Sequence, residues 1–254
     1  MSLNGYRVQT MILRPLFFLF FLITSLYTAH CYAHPDMSIG TVVEVEGHAH
    51  KTDHISKKEE KLVFGSKISK MDIITTDTNA RLLIYFKDDS ELTIGEDAKL
   101  VIDEYVYDPH EAHSNKAHYS FLRGAFLMVS GLLNKDNDAD ISVKTPYGSI
   151  GIRGTKFWGG TLKHARSYED NSRTAGQKHK FGVFVEDGRV EFKTKQGSQL
   201  IDAGFGSFTD DINSVPTAPK IWSDVDIQQA LSTVTLKNNA RALERIKDLK
   251  TKRD

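Results

Sequence analysis

Residues 181–194 read FGVFVEDGRVEFKT. Phe181, Val183 and Val185 recur at every second position before Asp187-Gly188, and Val190 and Phe192 do so after it. Period-two alternation marks strands with one covered face. Asp-Gly supplies the positive φ that a tight two-residue turn demands. The stretch 184–192 therefore predicts a β-hairpin turning at Asp187-Gly188.

The same grammar extends outward in both directions. TVVEVEG (41–47), RLLIYFKDDS (81–90), ELTIG (91–95), KLVIDEYVY (99–107), YSFLRGAFLMVSGLL (119–133), ISVKTP (141–146), KFWGGTL (156–162) and SQLIDAG (198–204) are short and rich in β-branched and aromatic residues. Gly, Asp, Asn and Ser punctuate them about every 8–12 residues, which is the spacing of an all-β domain. The expected fold is all-β, a solenoid-like or sandwich-like stack of short strands over residues 37–210. Turns at near-constant spacing keep the solenoid open beside the sandwich. Pro216 and Pro219 open a linker and C-terminal helical segment over 211–254. Ser223 and Asp224 can cap one short α-helix. Leu236, Ala240, Leu243, Ile246 and Leu249 recur at helical steps and predict a second, amphipathic one.

The N-terminus has a different character. LFFLFFLITSL (16–26) is apolar and uncharged, Arg7 and Arg14 precede it, and Cys31-Tyr32-Ala33 offers small residues where a signal peptidase reads. This predicts a secretory signal peptide over 1–33, cleaved before His34, with Met1 or Met11 as the start. An uncleaved anchor needs roughly 20 apolar residues, and Pro15, Thr24 and Ser25 weaken that reading. A lipid on Cys31 is disfavoured by His30. The protein is expected to be periplasmic or otherwise extracytoplasmic, touching a membrane only through the leader if that is retained.

Composition removes several functions. The formal net charge is zero with 26% charged residues, so no bulk basic surface predicts nucleic-acid binding. The single cysteine, Cys31, lies in the leader, so the exported chain would have no disulfide, thiol nucleophile or thiolate-bound metal. There is no G-x-S-x-G elbow, phosphate loop or H-E-x-x-H. Paired carboxylates stand at Asp88-Asp89 and at Asp136 to Asp140, but acidic turns are commoner than active sites, and the chain is read as non-enzymatic with no cofactor. Two histidine stretches, His48/His50/His54 and His110/Glu111/His113/His118, carry ligand chemistry without an established ligand spacing. No metal site is expected from them.

Residues 144–157, KTPYGSIGIRGTKF, form the most specific string in the chain. Pro146 fixes φ and belongs at an edge or turn. Gly148, Gly151 and Gly154 allow positive φ or close backbone approach. Arg153 carries a five-donor fork able to tie turn carbonyls or an acidic neighbour. Two readings follow for Thr145, Pro146, Gly148, Gly151, Arg153, Gly154 and Thr155. The first is a structural corner; the second is a binding site for an anion or partner.

The string resembles the signature of the FecR domain family, named for the ferric-citrate regulator. Ile39-Gly40-Thr41-Val42 resembles that family's opening strand. Leu62, Gly65 and Ile68 followed by Asp72-Ile73-Ile74-Thr75-Thr76 resemble its "D-x-I-x-T" segment. Ala80, Leu82, Phe86 and Asp89-Ser90, then Leu122-Arg123-Gly124-Ala125, resemble the strands before the signature. Gly188, Val190 and Ala203-Gly204 resemble the closing strands. The resemblance spans about residues 38–210. It implies a solenoid-like periplasmic domain without catalysis. Well-known members add a cytoplasmic anti-sigma segment before a membrane span, and too few residues precede the apolar run here for such a segment. The expected function is a protein-interaction or signal-sensing module with an envelope protein partner. The alternative is a ligand-binding protein for an envelope glycan or a metal chelate.

Overall fold

The structure is a computed structural model that describes residues 37–134, 140–162 and 180–251. The expected leader, the acidic run 136–139 and most of the polar stretch 164–180 lie outside the described residues. Sixteen strands follow in chain order: β1 Ser38–Glu46, β2 Ala49–Thr52, β3 Glu59–Lys61, β4 Lys67–Ser69, β5 Ile73–Thr76, β6 Arg81–Phe86, β7 Glu91–Ile94 and β8 Lys99–Val106. Then come β9 Lys116–Arg123, β10 Phe126–Val129, β11 Asp140–Thr145, β12 Gly148–Leu162, β13 Lys180–Lys193, β14 Ser198–Asp202, β15 Phe205–Thr209 and β16 Lys220–Ile221. Two short helices end the chain, α1 Asp224–Ser232 and α2 Asn239–Thr251. The all-β reading with two C-terminal helices holds.

The hairpin at Asp187-Gly188 does not form. β13 runs straight through it as one strand of 14 residues. It pairs antiparallel with β12 from Ser149↔Lys193 to Leu162↔Lys180. Asp187-Gly188 instead sits at a bulge, opposite a matching irregularity between Arg153 and Phe157 of β12. Gly154 has φ +59° and Gly188 has φ +78°. A Cβ on Gly188 would stand 2.1 Å from the Gly154 carbonyl oxygen. A bulge and a tight turn both need a residue at positive φ. Here a second glycine on the facing strand lets the pair kink together rather than fold back.

That kink forks the sheet. The first part of β12 (Gly148–Gly151) bonds to β11, while the part past the kink (Lys156–Gly159) bonds to β10. From β11 one arm runs through β9, β8, β5 and β2 to β3. From β10 the other runs through β7, β6 and β1 to β4. β14 and β15 take the two halves of the opposite edge of β13. The chain crosses between the arms repeatedly, so some neighbours within an arm, such as β5 and β8 or β1 and β6, are distant in sequence, while β2–β3, β6–β7 and β8–β9 are consecutive. One apolar cluster fills the space between them, joining Val42, Ile84 and Phe86 of one arm to Ile74, Leu100 and Tyr119 of the other. Phe86 lies 5.7 Å from both Tyr105 and Tyr119, and Phe121 stacks on Phe126 at 4.1 Å. The result is a curled sheet whose two arms face each other across one apolar core, sandwich-like in section.

The helices belong to the same compact unit, Ser38–Asp254. Ser223 caps α1, its Oγ accepting from Asp226 N at 3.1 Å. Val234 and Ala230 pack with Trp158, Trp222, Phe184 and Phe208. Trp158 Nε1 donates to Thr233 Oγ1 at 3.0 Å. α2 buries Ala242 and Ile246 on Val43, Leu83 and Tyr85 of the outer sheet face. The expected stripe is out of phase at two positions: Ala240 and Leu243 are exposed and Ala242 takes the inner place. Buried charge sets that phase. Glu44, buried on β1, accepts from Arg241 Nη2 and from Arg245 Nη1 at 2.6 Å. Glu46 Oε1 accepts from the backbone N–H groups of Lys237 and Asn238, at 2.7 and 3.2 Å, just before α2 begins.

Candidate functional site

The signature residues divide between two places on β12. At its start, Thr145 pairs with Gly148 across a two-residue turn holding Pro146 and Tyr147. Thr145 Oγ1 donates to the Gly148 carbonyl at 2.9 Å and accepts from Tyr147 N at 3.1 Å. The Tyr147 ring stacks on Phe181 at 4.9 Å. This end is a structural corner closed on its own groups. Gly151, in mid-strand, needs no glycine: an added Cβ would meet nothing nearer than 3.9 Å.

Past it lies the kink, roughly 20 Å along the strand from the turn at the usual rise per residue. Arg153 is exposed here, and among the described residues its guanidinium makes no hydrogen bond or ion pair. The expectation that its fork ties the turn's carbonyls is therefore not met. Thr155 is buried; its backbone N–H donates to Ser130 Oγ at 2.7 Å and its carbonyl accepts from Ser130 N at 2.9 Å. Its own Oγ1 is buried without a hydrogen-bond partner.

Gly154, Thr155 and Lys156 wall a hollow of about 320 Å³ with Ser130, Gly131 and Asp187. Lys156 and Val129 also border a second hollow of about 450 Å³. Its floor is the outer face of β6, β7 and β10 with Leu83, Thr93 and Leu127, and its far wall is Leu231, Val234, Leu243 and Ile246 of the helical segment. Three charges edge it. Lys156 Nζ stands 2.7 Å from Glu186 Oε2, while Glu186 Oε1 is buried and unbonded. Burial pushes the Glu91 carboxyl above the ordinary carboxylate range, against the pull of Lys250 and Lys156. Apolar walls with a few converging polar groups are the usual make-up of a binding hollow. Sequence reasoning did not single out Glu91, Lys156 or Glu186. Lys156 could have been found, since it directly follows the signature threonine; the two acids carry no local signal.

The Asp88-Asp89 pair, His118 and the aromatic residues resolve into structure. Asp88 is buried and accepts from Ser90 Oγ at 2.6 Å and Tyr105 OH at 2.7 Å, with its carboxyl pushed up by burial. Its neighbour Asp89 takes φ +67° in the turn and accepts from Tyr85 OH. The pair supports a tight turn between β6 and β7. His118 lies 3.3 Å from Glu104 and 3.0 Å from Asp140. Phe126, Phe157, Trp158, Phe181 and Phe184 are all buried and form core rather than a carbohydrate platform.

Residues 72–191 match the family model described as FecR protein. This segment is a FecR domain. It holds both signature sites and most strands of the two arms. Two crystal structures of a candidate anti-sigma factor from Parabacteroides distasonis are also similar, at 11% and 12% identity and a TM-score of 0.45 each. Each alignment covers 61% of this chain and 62% of that one. Among curated proteins none matches the sequence.

Proposed function

We propose that this chain is an exported, non-enzymatic protein whose FecR domain serves as a protein-interaction or signal-sensing module in the periplasm. The FecR match supports a regulatory or sensing role, and such roles work through protein partners. The observation that carries the reading is Arg153. The family's signature places a guanidinium on an exposed kink, and no described group of the fold uses it. A planar five-donor fork suits a carboxylate presented by a partner. Beside it, the hollows at Thr155 and Lys156 offer apolar contact next to charge. Mild crosslinking of envelope fractions, followed by capture of this chain, tests the interaction; one envelope protein should be recovered reproducibly. Export is tested separately. N-terminal sequencing of the cell's own protein should begin near His34, and full-length chain confined to the cytoplasm contradicts the periplasmic assignment.

A further inference from the structure

Away from the signature, the loop between β2 and β3 folds toward the residue that leads into β5. Asp53, His54 and Asp72 each place one ligand atom within 4.8 Å of the other two. β2 and β5 pair from Ala49↔Thr76 to Thr52↔Ile73, so the end of β2 delivers Asp53 and His54 beside Asp72. The loop backbone is already set. Asp53 Oδ1 accepts from Ile55 N at 3.0 Å, Ser56 N at 2.7 Å and Ser56 Oγ at 2.9 Å.

A second observation is independent of that grouping. Asp72 is 0% exposed, and its Oδ2 accepts from Ser69 N at 2.9 Å. Its Oδ1 is buried with no hydrogen bond, and so is His54 Nδ1. Native proteins rarely leave buried acceptors unmatched, and each such group carries a desolvation cost. The nearest cation does not resolve the matter. Lys51 Nζ is 3.9 Å from Asp72 Oδ2, whereas it donates to the Lys67 carbonyl at 3.0 Å and lies 3.7 Å from Glu60. A buried carboxylate oxygen and a buried ring nitrogen, both unmatched, stand beside a third ligand atom, and a metal ion held by all three would satisfy both, with His54 bound through its unprotonated nitrogen.

We propose that Asp53, His54 and Asp72 bind a divalent transition-metal ion of the zinc type. Two carboxylates and one imidazole form an oxygen–nitrogen donor set that suits Zn²⁺ or a neighbouring first-row ion better than Cu⁺, which prefers sulfur. Three protein ligands leave at least one coordination position open, for water or for a donor from a partner. The ion would clamp the β2–β3 loop to the start of the FecR domain. Asp72 is the first residue of the matched segment, so the metal would couple that loop to the domain's own frame.

The test uses the full chain, stripped with chelator and dialysed, then titrated with Zn²⁺ by calorimetry and followed by thermal melting. One equivalent should bind saturably and raise the melting temperature. His54→Ala changes a loop residue and should leave the metal-free melt unchanged while removing both the stoichiometric binding and the zinc-dependent rise. Asp72→Asn should also remove the stoichiometric binding and the zinc-dependent rise, and its circular-dichroism spectrum checks that it is folded. His110→Ala/His113→Ala should retain both effects, which separates this site from adventitious binding by the other histidines. No saturable binding, or zinc binding and stabilisation equal in wild type and His54→Ala, overturns the proposal.

Discussion

At the start of β12, Thr145 uses its hydroxyl twice to close the turn it sits in. At the kink, the Arg153 guanidinium offers five donors and bonds to no described residue. The two places belong to one signature string, yet only the first is self-contained. The difference teaches how to divide such a string between folding and function. A polar group whose partners lie within the motif maintains the motif. A polar group left exposed and unmatched at a rigid, forked point of the sheet is free for a second molecule. The kink itself needs neither group, because it is set by Gly154 facing Gly188.

Substitutions at the two places sharpen this contrast. The largest effect is expected at Gly188→Val. The new side chain must occupy positive φ and collide with the Gly154 carbonyl, so urea unfolding should show a loss of about 3 kcal/mol or more. Gly151→Ala, a few residues from the kink and with open space for its methyl, should stay within about 0.5 kcal/mol of wild type. Equal losses at both would mean that the kink is not the constraint described. Thr145→Ala comes next. It removes the donor to Gly148 and the acceptor for Tyr147, and should cost about 1 kcal/mol in the same experiment.

A smaller effect is expected in the hollow beside the kink. Burial raises the Glu91 carboxyl pKa in the folded state. Between the unfolded value and that raised value the native protein holds more protons than the unfolded chain, so stability falls as pH rises through this window. Glu91→Gln removes that fall. Melting temperatures measured against pH should therefore converge at low pH and separate in favour of the variant above the window. A wild-type advantage above it would show that Lys156 and Lys250 outweigh the burial.

Much of the fold was legible because strand alternation and turn residues are local. The limits were physical rather than accidental. Asp187-Gly188 announces positive φ, but whether that serves a turn or a bulge depends on Gly154, which meets it only across the β12–β13 pairing. The phase of α2 depends on Glu44, far away on β1, drawing Arg241 and Arg245 inward. Helical spacing alone placed Ala240 where Ala242 lies. The candidate site shows the same division. Arg153, Gly154 and Thr155 stood out in sequence because they share one string. Glu91 and Glu186 join Lys156 only through the β7–β10–β12–β13 neighbourhood. His54 was noticed among histidines, but its partner Asp72 arrives through the β2–β5 pairing.

The most direct test of the central claim is Arg153→Ala, read twice. Thermal melting should match wild type within the error of a surface substitution, about 0.5 kcal/mol, and crosslinked capture from envelope fractions should lose the partner that wild type retains. An Arg153→Ala protein that melts markedly lower, or that captures the same partner as well as wild type does, would contradict the assignment of this kink as the interaction site.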